Sequence, residues 1–164
     1  MAKEIILVRH GKAVDHNTYK RDIDRVLTER GVHDGYKVAE RLIKEGTKPD
    51  LIITSPAARA NHTAFIIARV LGYKTEKIVL AQQLYHCAAD TFLSEIYALP
   101  EDIKSVMMVA HNPGVTDVAY ELTRGGTTFL PTTGVAAIRY KGIKWKEVGS
   151  KASKDHLIIK PKEL

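Results

Sequence analysis

Arg9 and His10 stand side by side after one apolar run, Arg59 follows a second such run, and His111 follows a third. Guanidinium forks bind a phosphoryl group in bidentate fashion and spread positive charge over its oxygens, which suits Arg9 and Arg59. A histidine that is neutral near pH 7 has one nucleophilic ring nitrogen, while the other can donate to a backbone carbonyl and fix the tautomer; His10 suits that role. Two neighbouring cations favour its neutral form, because like charge disfavours protonation. Gly11 lets the backbone approach a bound oxyanion closely. Each residue alone has a plainer reading. An Arg-His pair at a strand end is often just chain emerging into solvent, and His111 before Asn112-Pro113 reads equally as a loop residue. Arg59 is harder to dismiss, because a cation in the first turn of a helix is opposed by the macrodipole at a cost of about 0.3–1 kcal/mol and implies a nearby anion.

The elements that must position these groups are legible from periodicity. Residues 4–8, 50–54 and 105–110 are short, nearly continuous apolar runs, the pattern of strands buried on both faces. Thr28 is a candidate N-cap for a helix with Val32, Tyr36, Ala39 and Ile43 inward, stopped by Gly46 and Pro49. Ser55-Pro56 opens a second helix with Ala60, Ala64, Ile67 and Leu71 on one face. A shorter helix is expected from about Thr91 to Leu99, capped by Asp90, and another after Asn112-Pro113 with Val115, Val118, Ala119 and Leu122 inward. Strands alternating with helices predict a three-layer, doubly wound α/β fold, a mostly parallel sheet with helices on both faces. Residues 134–148 read as a C-terminal antiparallel edge hairpin, turning at Lys141-Gly142, with Ile143 to Val148 as the outer arm. Ligands of such sheets bind beyond the carboxyl ends of the strands, which is where the two arginines and two histidines fall.

Taken together, Leu7-Val8-Arg9-His10-Gly11, then Asp22-x-x-Arg25-x-Leu27-Thr28-Glu29-Arg30-Gly31, then Thr54-Ser55-Pro56-x-x-Arg59-Ala60-x-x-Thr63-Ala64, then Val109-Ala110-His111-Asn112-Pro113 resemble the histidine phosphatase superfamily, with its phosphoglycerate-mutase-like fold. Small size and the Leu-Thr-Glu-Arg-Gly element are most similar to its SixA-type phosphohistidine phosphatases. The resemblance implies that His10 is transiently phosphorylated, that Arg9, Arg59 and His111 hold the phosphoryl group, and that no metal or other cofactor is needed. It places Asp22 and Arg25 beside the pocket, with Asn112 and Thr133 as further substrate contacts.

One position departs from the family pattern. Many members have a Glu after the third strand that protonates the leaving oxygen; here the segment is Leu80-Ala81-Gln82-Gln83-Leu84-Tyr85-His86, and a Gln side chain has no proton to give. Asp22 is the expected proton shuttle, with His86 a second candidate. An alkoxide leaving group benefits from general acid catalysis typically worth about 10²–10⁴-fold, whereas the imidazole of phosphohistidine leaves more easily. The departure therefore favours a phosphoramidate, and the expected partner is a phosphohistidine-bearing protein meeting a shallow, open pocket. A sugar-phosphate phosphatase and a non-catalytic phosphate-binding adaptor are the competing readings.

Composition bounds the rest. The chain has 164 residues and is expected to be a single domain over residues 1–164, acting as a monomer. Its formal charge of +6 is concentrated in residues 139–164, which carry eight Lys or Arg against three acidic residues. The remainder is nearly neutral and lacks the basic stripes interleaved with aromatics that mark a nucleic-acid surface. No apolar run reaches the length of a membrane span, and the single Cys87, read as an inert thiol, fits a reducing compartment; a cytoplasmic location is expected.

Overall fold

The computed structural model describes residues 2–164. Its centre is a six-stranded sheet in the order β3-β2-β4-β1-β5-β6, with β1 (Ala2–Arg9), β2 (Leu51–Thr54), β3 (Val79–Leu80) and β4 (Ser105–Ala110) parallel to one another. β5 (Val135–Lys141) runs antiparallel to β1, and β6 (Asp155–Ile159) antiparallel to β5. Strands buried on both faces need a cover on each side, and the strand residues divide accordingly. Ile5, Leu7, Val106 and Met108 pack with Phe92 and Ile96 of helix α3 (Ala89–Tyr97) and with Val115, Val118 and Leu122 of α4 (Gly114–Leu122). Ile6, Val8, Ile52, Met107 and Val109 pack on the opposite face with α1 (Glu29–Lys44) and α2 (Ala58–Leu71). This is the expected three-layer, mostly parallel, phosphoglycerate-mutase-like α/β architecture.

Three local expectations are corrected. In α1 the inward face is Gly31, Gly35, Val38, Ala39 and Leu42, and Tyr36 and Ile43 are exposed. Glycine, which carries no hydropathy signal, makes the contact: a Cβ on Gly35 would stand 3.3 Å from Ile66, so α1 approaches α2 closely there. Second, α2 begins at Ala58 and α3 at Ala89, with Ser55 Oγ accepting from the Ala57 amide and no side-chain cap from Asp90. Third, the outer arm of the C-terminal pair is β6, not residues 143–148. Trp145 is fully buried and donates from Nε1 to the Ile103 carbonyl at 2.8 Å, and Glu147 accepts from the Lys144 amide, so this stretch curls into a short 3-10 turn beside α3. The apolar patch Leu157-Ile158-Ile159 takes the edge position instead.

Candidate active site

The parallel strands deliver the polar residues to one rim. β1 ends in Arg9, whose amide donates to the Gly134 carbonyl, and the next amide, of His10, donates to Ala110 at the end of β4. Those two bonds fix the backbone of the Arg9-His10 pair against both neighbouring strands. His111 follows β4 directly, and Arg59 is the second residue of α2. Together with Lys12, Ala13, Arg25, His86, Asn112 and Thr132 they line a cleft of about 260 Å³.

His10 is buried, and its Nδ1 lies 2.7 Å from the Gly11 carbonyl oxygen. A carbonyl only accepts, so Nδ1 carries the proton and Nε2 keeps a free lone pair. Burial pushes the His10 pKa down to about 4, with Arg59, Arg9 and Arg25 adding to the effect and the Gly11 bond opposing it. The neutral form expected from nearby cations is thus produced first by desolvation. His111, its ring centroid 5.1 Å from that of His10, is pushed down to about 2 by burial and then by the charges of His10, Arg59 and His86. Its Nε2 lies 2.7 Å from Ser55 Oγ and its Nδ1 3.4 Å from an Arg59 nitrogen, so Nδ1 accepts from the guanidinium and Nε2–H donates to the serine.

Asp22 is the counter-ion of the cleft. Its Oδ2 accepts from Arg59 at 2.9 Å, Tyr85 at 2.6 Å and His86 at 2.9 Å; its Oδ1 accepts from Arg25 Nε at 2.9 Å; and its main-chain carbonyl accepts a second Arg59 bond at 2.8 Å. Partial burial opposes ionisation, but these donors outweigh it and hold the carboxyl far below the ordinary carboxylate range. The anion that Arg59 requires is therefore inside the protein. It also follows that Asp22 is held as an acceptor, with no proton to pass on, and the expectation of a proton shuttle gives way to that of an anchor.

Other expected contacts move by a residue or change their role. Thr133 is fully buried behind the cleft at φ 59°, its amide shared between the Arg9 and His10 carbonyls, and Thr132 lines the cleft in its place. Gly11 does not offer its N–H to an oxyanion, because that amide donates to Thr63 Oγ1 at 3.0 Å. The glycine is required for space: a Cβ would sit 3.1 Å from the Gly31 carbonyl and 3.2 Å from Thr133 Oγ1. Asn112 lines the cleft, yet its amide donates to the Leu130 carbonyl and its oxygen accepts from Thr116, so it braces the loop under Arg9. Arg25 lines the cleft as expected, tethered by Asp22 and the Val14 carbonyl. Gln82 and Gln83 are exposed and outside the cleft lining, and Gln83 bonds to Glu95. Among the described residues no group of three or more His, Cys, Asp or Glu is arranged to hold a metal.

A model of the histidine phosphatase superfamily (branch 1) matches residues 5–85. An uncharacterized Picosynechococcus protein is 43% identical over 141 residues, covering 83% of this chain and 84% of its own. The chain belongs to the histidine phosphatase superfamily. The Agrobacterium tumefaciens protein described as a SixA phosphohistidine phosphatase superposes with a TM-score of 0.78 at 29% identity, over 94% of this chain and 97% of its own. The protein histidine phosphatase SixA in complex with tungstate gives a TM-score of 0.82 at 22% identity, over 98% of each chain. In this histidine phosphatase, as a hydrolase of SixA-like architecture, sequence reasoning missed Lys12, Ser55, Thr63 and Tyr85. Ser55 was legible only as a helix cap, and nothing local marks Tyr85; their partners, His111 and Asp22, are more than fifty residues away.

Proposed function

We propose that the protein is a metal-independent phosphatase that works through a phosphohistidine intermediate on His10 and acts on phosphohistidine carried by another protein. The observation that carries this reading is the His10 ring: Nδ1 is committed to the Gly11 carbonyl, leaving the Nε2 lone pair in a cleft lined by Arg9, Arg25 and Arg59. In the first transfer Nε2 attacks phosphorus while the guanidinium groups take up charge on the phosphoryl oxygens. Arg9 and Arg59 each have a buried Nε without a protein partner, so donors remain for those oxygens. Because Nδ1 keeps its proton, His10 leaves as a neutral imidazole when water attacks the intermediate. His111, neutral and bonded to both Ser55 and Arg59, orients the Arg59 fork.

Two features support a side chain on a protein as the substrate. The connection from Gly11 to Thr28 contains only two single-turn 3-10 segments, His16–Thr18 and Asp22–Asp24. A wider depression of about 490 Å³, lined by Arg30, Phe129, Pro131 and Lys160 among others, adjoins the cleft at Thr132 and gives room to the polypeptide flanking the phosphorylated residue. One relative of the same fold is named as a phosphohistidine phosphatase and another as a protein histidine phosphatase, the latter complexed with tungstate, a tetrahedral oxyanion. Replacing His10 by Ala should abolish hydrolysis of a phosphohistidine peptide in the presence of chelator and abolish the acid-labile phosphoenzyme, while inorganic phosphate still binds. Turnover by the His10→Ala protein would refute the mechanism.

A further inference from the structure

With Asp22 fixed as an acceptor and Gln82 and Gln83 outside the cleft, the group that protonates the departing side chain is unassigned. The cleft lining offers few candidates. Arg9, Arg25, Arg59 and Lys12 are too weakly acidic to transfer a proton near neutral pH, and His10 and His111 are committed to Gly11, Ser55 and Arg59. His86 remains. We propose that His86, positioned by Asp22, is the general acid of this site, and that it delivers a proton to the leaving imidazole of phosphohistidine. This rests on the phosphatase reading above and adds a catalytic residue to it.

The geometry is that of an oriented acid. His86 Nε2 lies 2.9 Å from Asp22 Oδ2, and an ionised carboxylate can only accept, so Nε2 carries the proton of that bond and Nδ1 is the ring nitrogen left to exchange one with substrate. Its ring centroid is 4.7 Å from that of His111 and 4.2 Å from that of Tyr85, whose hydroxyl shares the same Asp22 oxygen. Those are the groups that face it, together with Arg59 across Asp22 and His16, whose Nδ1 is 3.7 Å from the other Asp22 oxygen. The ring is half exposed at the cleft mouth, on the side from which a side chain of another protein would enter. His86 holds φ at 54°, a left-handed conformation uncommon outside glycine and found disproportionately where function requires it. Its loop is clamped as well: the Cys87 carbonyl occupies the space that a Cβ on Gly114 would need.

The proton balance closes over the two transfers. As His10 Nε2 bonds to phosphorus, the P–N bond of the substrate breaks and its electron pair stays on that nitrogen. His86 gives its proton to the other nitrogen of the same ring, so the product leaves as neutral imidazole. In the second transfer water attacks phospho-His10, the electron pair returns to Nε2 and the protons of the water leave on the dihydrogen phosphate product, while His86, half exposed, regains its proton from solvent. Donor and leaving group are both imidazoles, so the proton passes between groups of the same chemical kind.

The test compares wild type with His86→Asn, a residue that tolerates left-handed φ and can still donate to Asp22. The probes are 1-phosphoimidazole, 1-methyl-3-phosphoimidazolium, whose leaving group is neutral without a proton, and p-nitrophenyl phosphate, whose nitrophenolate also leaves unprotonated. The variant should lose about 10²-fold or more on phosphoimidazole and stay within about threefold of wild type on the other two. Equal losses on all three would show that His86 only supports the structure, and no loss on phosphoimidazole would show that another group supplies the proton; either overturns the proposal. Failure of the phosphatase reading looks different, since wild type would then turn over none of the three or His10→Ala would turn over all of them.

Discussion

Holding two imidazoles neutral inside the protein has a thermodynamic consequence that isolates His10. In the unfolded chain its imidazole protonates below about 6.5, whereas in the folded protein its pKa is pushed down to about 4. Between those values the unfolded state binds the extra proton, so stability falls as pH drops from about 6.5 and levels off below about 4. Integrated from pH 7 to pH 5, the difference is a loss of about 2 kcal/mol from His10 alone. His111, pushed down to about 2, contributes a similar loss over the same interval and continues to lose below it. Asp22 acts in a separate window: its folded pKa is depressed, so its contribution is complete above the ordinary carboxylate range and is lost only in stronger acid. The assay is urea unfolding of wild type and His10→Asn at pH 7 and pH 5. The Asn amide can replace the Nδ1–H bond to Gly11 but cannot titrate, and the other histidines are common to both proteins. The variant should lose about 2 kcal/mol less than wild type on acidification. Identical pH dependence in the two proteins would mean that the cleft does not exclude the imidazolium, and the neutral nucleophile would have to be abandoned.

Two further perturbations probe the scaffold around the site. Asp22→Asn removes the charge that faces Arg59, a side chain that is 1% exposed, and should destabilise the fold by about 1–3 kcal/mol while tightening inorganic phosphate, since an anion competing for the same guanidinium is gone. Thermal unfolding with and without phosphate reads both effects, and a phosphate-induced shift no larger than in wild type would contradict the competition. Gly114→Ala places a Cβ against the Cys87 carbonyl and should displace the loop carrying His86, reproducing in weaker form the selective loss on phosphoimidazole; a uniform loss on all probes would show that the loop position does not govern proton transfer.

What the sequence revealed and what it hid divide along a physical line. Arg9, His10, Arg59 and His111 were legible because each follows an apolar run at a strand end or opens a helix, and a parallel sheet sends all such ends to one rim. The direction in which α1 faces was not, because its contact with α2 is made at Gly35 and Gly31 packs against the Lys12 backbone, and a period built from large apolar residues points to Tyr36 and Ile43 instead. Residues 143–148 alternate like a strand, but burial of one indole outweighs that pattern: Trp145 finds a carbonyl partner for its N–H only by turning toward Ile103. The exchange of Thr133 for Thr132 is of the same kind, since Thr133 is buried with its amide bound to the Arg9 and His10 carbonyls while Thr132 lines the cleft, and hydropathy carries no trace of those long-range partners.

The role of Asp22 shows how a charge balance can be mistaken for a reaction role. Chemistry that needs an acid draws attention to the nearest carboxyl in the motif, yet this one stands among Arg25, Arg59, Tyr85 and His86 and is the group that allows a buried guanidinium to exist before substrate arrives. Arg9, Lys12, Arg25 and Arg59 set against one carboxylate leave the ligand-free cleft with excess positive charge, close to what a phosphoryl dianion would neutralise. The same excess opposes protonation of His10. Affinity for the phosphoryl group and the part of the nucleophile's neutrality that adds to burial therefore come from one set of cations, and a substitution that weakens the first, such as Arg59→Ala, must also weaken the second. Asp22 moderates that field without cancelling it, and the one group it leaves free to carry a proton at the mouth of the cleft is His86.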